Sequence, residues 1–226
     1  MGQTSLNLVA IAVFAMTLSA LLSPVLNISP FIPAGTTFII LGLATVDSFS
    51  WGGKGLTVFL DLFTSSEKRR RIIHHEAGHL LAAYCLGIPV TGYTLTAWET
   101  LKQGEQAGIG GVQFDFSLLS DEEKVSKNPL ILERTFTVLM AGIAAENMIY
   151  SQAEGGQEDK ENLREIMKIL EIPSHLYPQK ESWALLQAKN LLLRHETTYQ
   201  ELVKIMEKRA SVEECQKLIQ RTLIKN

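Results

Sequence analysis

Charged side chains are absent from the first 46 residues, since no Asp, Glu, Lys or Arg precedes Asp47. Two apolar stretches fill this region, residues 6–26 and 31–51. About 20 such residues are enough to span the hydrocarbon core of a bilayer. We therefore predict a transmembrane helical hairpin over residues 1–51, a two-helix membrane anchor, followed by a juxtamembrane connector over residues 52–64.

Basic residues become frequent only beyond this anchor. The run Lys68–Arg71 lies within about 20 residues of the second apolar stretch. Because Lys and Arg concentrate on the cytoplasmic side of membrane proteins, the run places the following domain in the cytoplasm or its organellar equivalent, the stroma. A cleaved signal peptide is the alternative, but the N-terminus lacks the positive charge that such peptides carry.

Cysteine is scarce and the net charge is small. The two cysteines, Cys85 and Cys215, are too far apart in sequence to suggest a disulfide framework or a cysteine-based zinc site. A formal net charge of −3 gives no electrostatic basis for binding nucleic acid, so no nucleic acid partner is expected.

The motif His-Glu-Ala-Gly-His occupies residues 75–79, inside an apolar run. On a helix, His75 and His79 are four residues apart and share one face, so their imidazoles can bind one cation. Two neutral imidazoles suit a catalytic Zn²⁺, and Glu76 is placed to act as its general base. The motif predicts a zinc-dependent hydrolase, most simply a peptidase. The alternative is an amphipathic helix with two structural histidines; His74 points away and is expected to be solvated or supporting.

A catalytic zinc needs a third protein ligand. The extended form of the motif requires histidine at position 85, where this chain has Cys85. His175 and His195 lie in polar helical surroundings, so surface positions are expected for them. Glu146 and Asp159 are the acidic candidates, and their spacing alone does not choose between them.

The remaining sequence predicts a mainly α fold with a small β-sheet, forming a peptidase domain over residues 65–226. The motif lies on a helix over residues 67–86. Two strands follow, residues 93–98 and 111–116, joined by a glycine-bearing loop. Further helices are predicted over residues 129–150, 159–169, 182–195, 197–208 and 212–224.

Three segments of the chain resemble the peptidase domain of the FtsH family of membrane-anchored zinc proteases. They are HEAGH at residues 75–79, MAGIAAE at residues 140–146 and GGQED at residues 155–159, in family order and at about family spacing. The resemblance covers the chain from about residue 67 onward. It implies that Zn²⁺ is the cofactor, that Asp159 is its third ligand, and that Glu146 holds a ligand histidine.

One part of the family pattern is missing. No Gly-x-x-x-x-Gly-Lys-Ser/Thr occurs in the sequence, so no ATPase module is expected. The chain resembles the AAA-lacking FtsH-like membrane proteins of cyanobacteria and chloroplasts. This implies a zinc metalloendopeptidase in a plasma or thylakoid membrane that hydrolyses unfolded or membrane-associated proteins.

The expected partners are protein or peptide substrates, the membrane, and further copies of the chain or AAA-containing FtsH-like subunits. Two other interpretations stay open. One is a catalytically silent binding or accessory subunit of FtsH-like complexes. The other is a site-2-type intramembrane protease, whose first motif the sequence from His75 to Val90 also resembles.

Overall fold

The computed structural model describes residues 10–11, 13–19, 21–22, 29, 31–50, 54–102, 110–115 and 129–225. The chain divides into two compact units, Met1–Phe59 and Leu60–Asn226. Helix α1 (Phe31–Ser50) lies in the first unit, and helix α2 (Lys54–Asp61) contains the residues at which the two units are divided.

The predicted membrane anchor falls in the first unit. Much of its first apolar stretch, and Trp51 at the end of its second, lie outside the described residues. No helix in the described part of the chain is long and apolar enough to cross a membrane. The structure therefore gives no support to the predicted transmembrane hairpin.

Helix α3 (Ser66–Leu86) carries the HEAGH motif and is central to the second unit. Its first turn is capped by the Ser65 hydroxyl, which accepts a hydrogen bond from the Lys68 backbone N–H at 3.2 Å. It ends at Gly87, whose left-handed φ of 72° suits glycine. These two signals explain why the predicted bounds, residues 67–86, agree with the structure to within one residue.

The small sheet has two antiparallel strands, β1 (Val90–Thr94) and β2 (Gly111–Phe114), with Tyr93 opposite Val112. The prediction of a small β-sheet is confirmed. The first strand begins three residues earlier and ends four residues earlier than the predicted range 93–98, and the chain then enters helix α4 (Ala97–Lys102).

A local capping arrangement explains this early end of the strand. The Thr96 hydroxyl accepts a hydrogen bond from the Glu99 backbone N–H, and the Glu99 carboxylate accepts one from the Leu95 backbone N–H at 2.8 Å. Thr96 and Glu99 have the spacing of a capping box, which starts a helix. The predicted loop that follows lies largely outside the described residues.

The predicted helix over residues 129–150 is two helices, α5 (Pro129–Leu139) and α6 (Ala141–Tyr150). The break is at Met140, whose backbone adopts φ −91° and ψ 0°, outside the helical minimum. The last carbonyls of a helix lack partners within it, so this break frees carbonyl groups at the end of α5.

The four remaining predicted helices are present, and the structure adds a short 3₁₀ turn that was not predicted. In chain order, these elements are α7 (Gln157–Ile169), the 3₁₀ turn (Ser174–Leu176), α8 (Tyr177–Arg194), α9 (Glu196–Glu207) and α10 (Val212–Lys225). Helix α8 begins five residues earlier than predicted, with Pro178 in its first turn, a position that proline favours.

The main core forms where α3 packs against α6 and α9, around Leu80, Leu81 and Leu202. Helices α3 and α6 approach unusually closely. A Cβ added to Gly78 would lie 2.6 Å from the Ala141 carbonyl oxygen and 2.7 Å from the Ala145 Cβ. The glycine inside the motif is therefore required by the packing that brings the two helices together.

Candidate metal centre

His75 and His79 meet on the buried face of α3. Their Nε2 atoms are 3.0 Å apart, and both side chains are almost wholly removed from solvent. This is the convergence that the four-residue spacing predicts.

The outer nitrogens of the two rings show how they are oriented. His79 Nδ1 lies 2.7 Å from the Val138 carbonyl oxygen, one of the groups freed at the end of α5. His75 Nδ1 lies 2.8 Å from Glu146 Oε1. Carbonyl and carboxylate oxygens only accept, so both Nδ1 atoms donate. In the neutral rings each Nε2 then presents a lone pair toward the other, which is how a metal-binding histidine is oriented.

Asp159 completes the group. Its Oδ2 is 3.0 Å from His75 Nε2 and its Oδ1 is 3.4 Å from His79 Nε2. Asp159 lies in the first turn of α7, and this helix begins directly after Gly156. The φ of 88° at Gly156 allows the turn that brings the carboxylate to the histidines. One ligand atom from each of the three residues lies within 4.8 Å of the others, so the group can hold a metal ion.

The electrostatics of the group call for a positive charge at its centre. Burial lowers the pKa of His75, but hydrogen bonds to Asp159 and Glu146 outweigh it and raise the pKa to about 10. Burial opposes ionisation of Asp159, yet His79 and His75 hold its pKa well below the usual range. Two imidazole lone pairs and a carboxylate therefore bind a proton tightly, and a metal cation can take the same place.

Glu76 is beside the group but does not ligate it. The side chain is 5% exposed, and among the described residues its Oε2 has no hydrogen-bond partner. Burial raises the pKa of Glu76. Both features suit a carboxylate that takes up and releases a proton, since such groups have pKa values moved toward neutrality.

Glu146 supports the group from behind. Its Oε1 accepts hydrogen bonds from His75 Nδ1 and from the Gly155 backbone N–H, and its Oε2 accepts one from Glu154 N–H at 3.0 Å. Arg71 lies 3.8 Å from Oε2. Glu146, one of the two acidic candidates, is therefore turned away from the cation position. It links His75 to the turn that brings in Asp159.

Gly142 on α6 leaves the space in which the rings meet. A Cβ at this position would lie 2.3 Å from His75 Nε2 and 2.5 Å from His79 Nε2. The sequence of α6 is rich in small residues, and this pattern does not single out Gly142. The run Ala141–Ala145 was the available signal.

His74 is buried rather than solvated. Its Nδ1 lies 2.7 Å from the Tyr199 hydroxyl, and the hydroxyl also contacts the His74 carbonyl oxygen at 3.3 Å. Burial lowers the pKa of His74. The residue ties α3 to α9 behind the metal group, and the expectation of a solvated position was wrong.

The metal group opens into a cleft of about 670 Å³. Its lining includes His75, Glu76, His79 and Asp159, together with the residues of strand β2. His175 and His195 do not belong to the metal group, since His175 is exposed and His195 is half-buried elsewhere on the chain. Cys85 and Cys215 are free thiols.

No family model matches this chain, and no curated protein matches it. The likeness to the FtsH peptidase domain therefore stays a prediction that rests on the three sequence segments.

Proposed function

We propose that this chain is a zinc metalloendopeptidase, similar in its peptidase domain to the FtsH family and attached to a membrane. One observation carries the proposal. Three ligand atoms converge on one point, and the buried carboxylate next to them has an oxygen with no partner among the described residues. A buried carboxylate oxygen without a hydrogen bond costs free energy, and a cation site with a purely structural role does not require one.

Zinc is the metal that the ligands favour. His75, His79 and Asp159 would supply two nitrogens and one carboxylate oxygen, and catalytic zinc sites have three protein ligands and one open position. Bound there, zinc would supply the Lewis acidity that polarises a peptide carbonyl and lowers the pKa of water towards about 7.

The chain's own residues perform the proton transfers. Glu76 accepts the proton of the attacking water and donates it to the amine that leaves when the peptide bond breaks. Burial raises the pKa of Glu76, and this favours the protonated form that makes the second transfer. Val138 and Glu146 keep the two imidazoles in the orientation that ligation requires.

The substrate class follows from the cleft and the sequence. The cleft has a volume of about 670 Å³ and lies beside strand β2. Such a cleft accepts an extended polypeptide segment more readily than a folded domain. Since no ATP-binding motif occurs in the sequence, we propose that the substrates are unfolded or membrane-associated proteins, and that an AAA-containing FtsH-like subunit is a partner. The uncharged first 46 residues, and exposed apolar side chains such as Phe31 and Phe38 on α1, support the membrane location.

The test uses the full chain loaded with zinc and a labelled unfolded protein as substrate. We expect about one zinc per chain and hydrolysis that Glu76→Gln abolishes while zinc content is retained. Glu165→Gln is the matched control, because it makes the same change at an exposed position on α7. Hydrolysis by the Glu76→Gln variant would refute the base assignment. Zinc binding without hydrolysis of any unfolded substrate by the wild type would favour the accessory subunit.

A further inference from the structure

Two segments of the second unit that are held together by a hydrogen bond carry exposed apolar side chains. Leu60, Leu62, Phe63 and Trp98 are 41%, 73%, 74% and 52% exposed. We call these four residues the apolar patch. Asp61 Oδ2 accepts a hydrogen bond from the Ala97 backbone N–H at 3.1 Å, so the two segments that carry the patch are held together. Its position is therefore fixed by the fold.

Basic side chains border the apolar patch. Arg69 donates a hydrogen bond to the Asp61 carbonyl oxygen at 2.9 Å, and the Lys102 ammonium lies 5.3 Å from the centre of the Trp98 ring. Lys68 and Arg70 are exposed on the same turn of α3.

The acidic residues of these segments lie in ion pairs with arginines, and Arg70 pairs with Glu207 at 3.9 Å. Glu67 pairs with Arg71, and Glu99 pairs with Arg209. Asp61 is buried and lies 3.7 Å from Arg69. Among the described residues, Lys68 and Lys102 lie in no ion pair, so the unpaired charge of these segments is positive.

We propose that the apolar patch docks the second unit on the surface of an anionic membrane. Tryptophan and phenylalanine favour the headgroup region, and each basic residue near an anionic surface adds about 1 kcal/mol of attraction. The patch projects apolar tips beside cations, which is the pattern of interfacial membrane binding. The proposal rests on the membrane location proposed above and is independent of the metal.

The docking has a consequence for the substrate. Lys68, the residue before Arg69 on α3, lines the cleft that contains the metal group. With the patch on the bilayer, the cleft is held near the lipid surface. The segments best placed to enter it are those that emerge from the same membrane.

Two tryptophans provide a matched test in the full chain. Trp98 and Trp183 are 52% and 51% exposed, and only Trp98 belongs to the apolar patch. One variant keeps Trp98 (Trp51→Phe with Trp183→Phe) and the other keeps Trp183 (Trp51→Phe with Trp98→Phe). Each is mixed with phosphatidylglycerol-containing vesicles whose phosphatidylcholine carries bromine, a short-range quencher of tryptophan fluorescence.

We expect Trp98 emission to fall at least about twofold, with a shift to shorter wavelength, and Trp183 emission to stay unchanged. Equal quenching of both, or of neither, overturns the docking. Flotation of the same mixtures separates the two proposals. A chain that floats with unquenched Trp98 is membrane-bound without this docking, and a chain that does not float has neither property.

A second pair of variants tests the apolar patch itself. Leu62→Ser with Phe63→Ser is expected to remove most of the Trp98 quenching. Leu186→Ser with Leu193→Ser is the control, because both leucines are 48% exposed and lie on α8, away from the patch. Loss of quenching in both pairs, or in neither, contradicts the proposal.

Discussion

The substitution Gly142→Ala tests whether the meeting point of the two imidazoles is as narrow as the structure shows. The added Cβ would lie 2.3 Å from His75 Nε2 and 2.5 Å from His79 Nε2. Carbon and nitrogen in contact are normally about 3.5 Å apart. The rings must therefore move by about 1 Å, whereas metal–ligand distances tolerate about 0.2 Å.

The cost to the fold is much smaller than the cost to the site. Overpacking a buried position costs about 1–3 kcal/mol. Replacing glycine by alanine inside a helix stabilises the helix by about 1 kcal/mol. The net loss of about 0–2 kcal/mol leaves the protein folded, while displaced ligands lower zinc affinity by at least about 10- to 100-fold.

Zinc affinity is measured by competition with a chromophoric chelator, and the free energy of unfolding by urea titration. Gly111→Ala is the control, because this glycine also lines the cleft and a Cβ there has nothing within 4 Å. A folded Gly142→Ala protein that binds zinc as tightly as the wild type would show that the imidazoles do not converge as described.

Two further predictions concern the groups around the cation. Glu146→Gln should lower zinc affinity about 10- to 100-fold in the same competition assay. The two carboxylate oxygens accept separate hydrogen bonds from His75 and from the Glu154 N–H, and the single oxygen of an amide cannot accept both. Unchanged zinc affinity would contradict the supporting role of Glu146. The pKa of His75 is raised from 6.5 to about 10, so this group's stabilisation of the metal-free fold is complete below pH 6.5 and is lost as the pH rises through 10. Urea unfolding of metal-free protein should show that loss, and calorimetry at pH 8 in two buffers should show release of about one proton per zinc; no release means that the site is unprotonated before zinc binds.

The sequence specifies helix α3 almost completely. Ser65 and Gly87 are explicit start and stop signals, and the spacing of His75 and His79 predicts their convergence without tertiary information. Asp159 is different. It reaches the site through the turn at Gly156, and no local pattern reveals where such a turn leads, so only the family resemblance identified it.

The missed features depend on tertiary contacts or on a weak local signal. Methionine is a good helix former, so nothing at Met140 predicts the break between α5 and α6. His74 was expected to be solvated or supporting because it points away from His75; the solvated alternative was wrong, since α9 covers that side and supplies Tyr199. Thr96 and Glu99 have the spacing of a helix start, which indicates α4. The β-branched and aromatic residues around them favoured the prediction of a strand instead.

The segment α5–α6 contributes no ligand, yet it controls how all three ligands are placed. The break at Met140 leaves the Val138 carbonyl to orient His79. One turn further on, Gly142 leaves the space for the rings. Glu146 then holds His75 and, through the Gly155 backbone N–H, the turn before Asp159. The ligands are therefore coupled through α6, and a shift of this helix would alter metal affinity with every ligand intact.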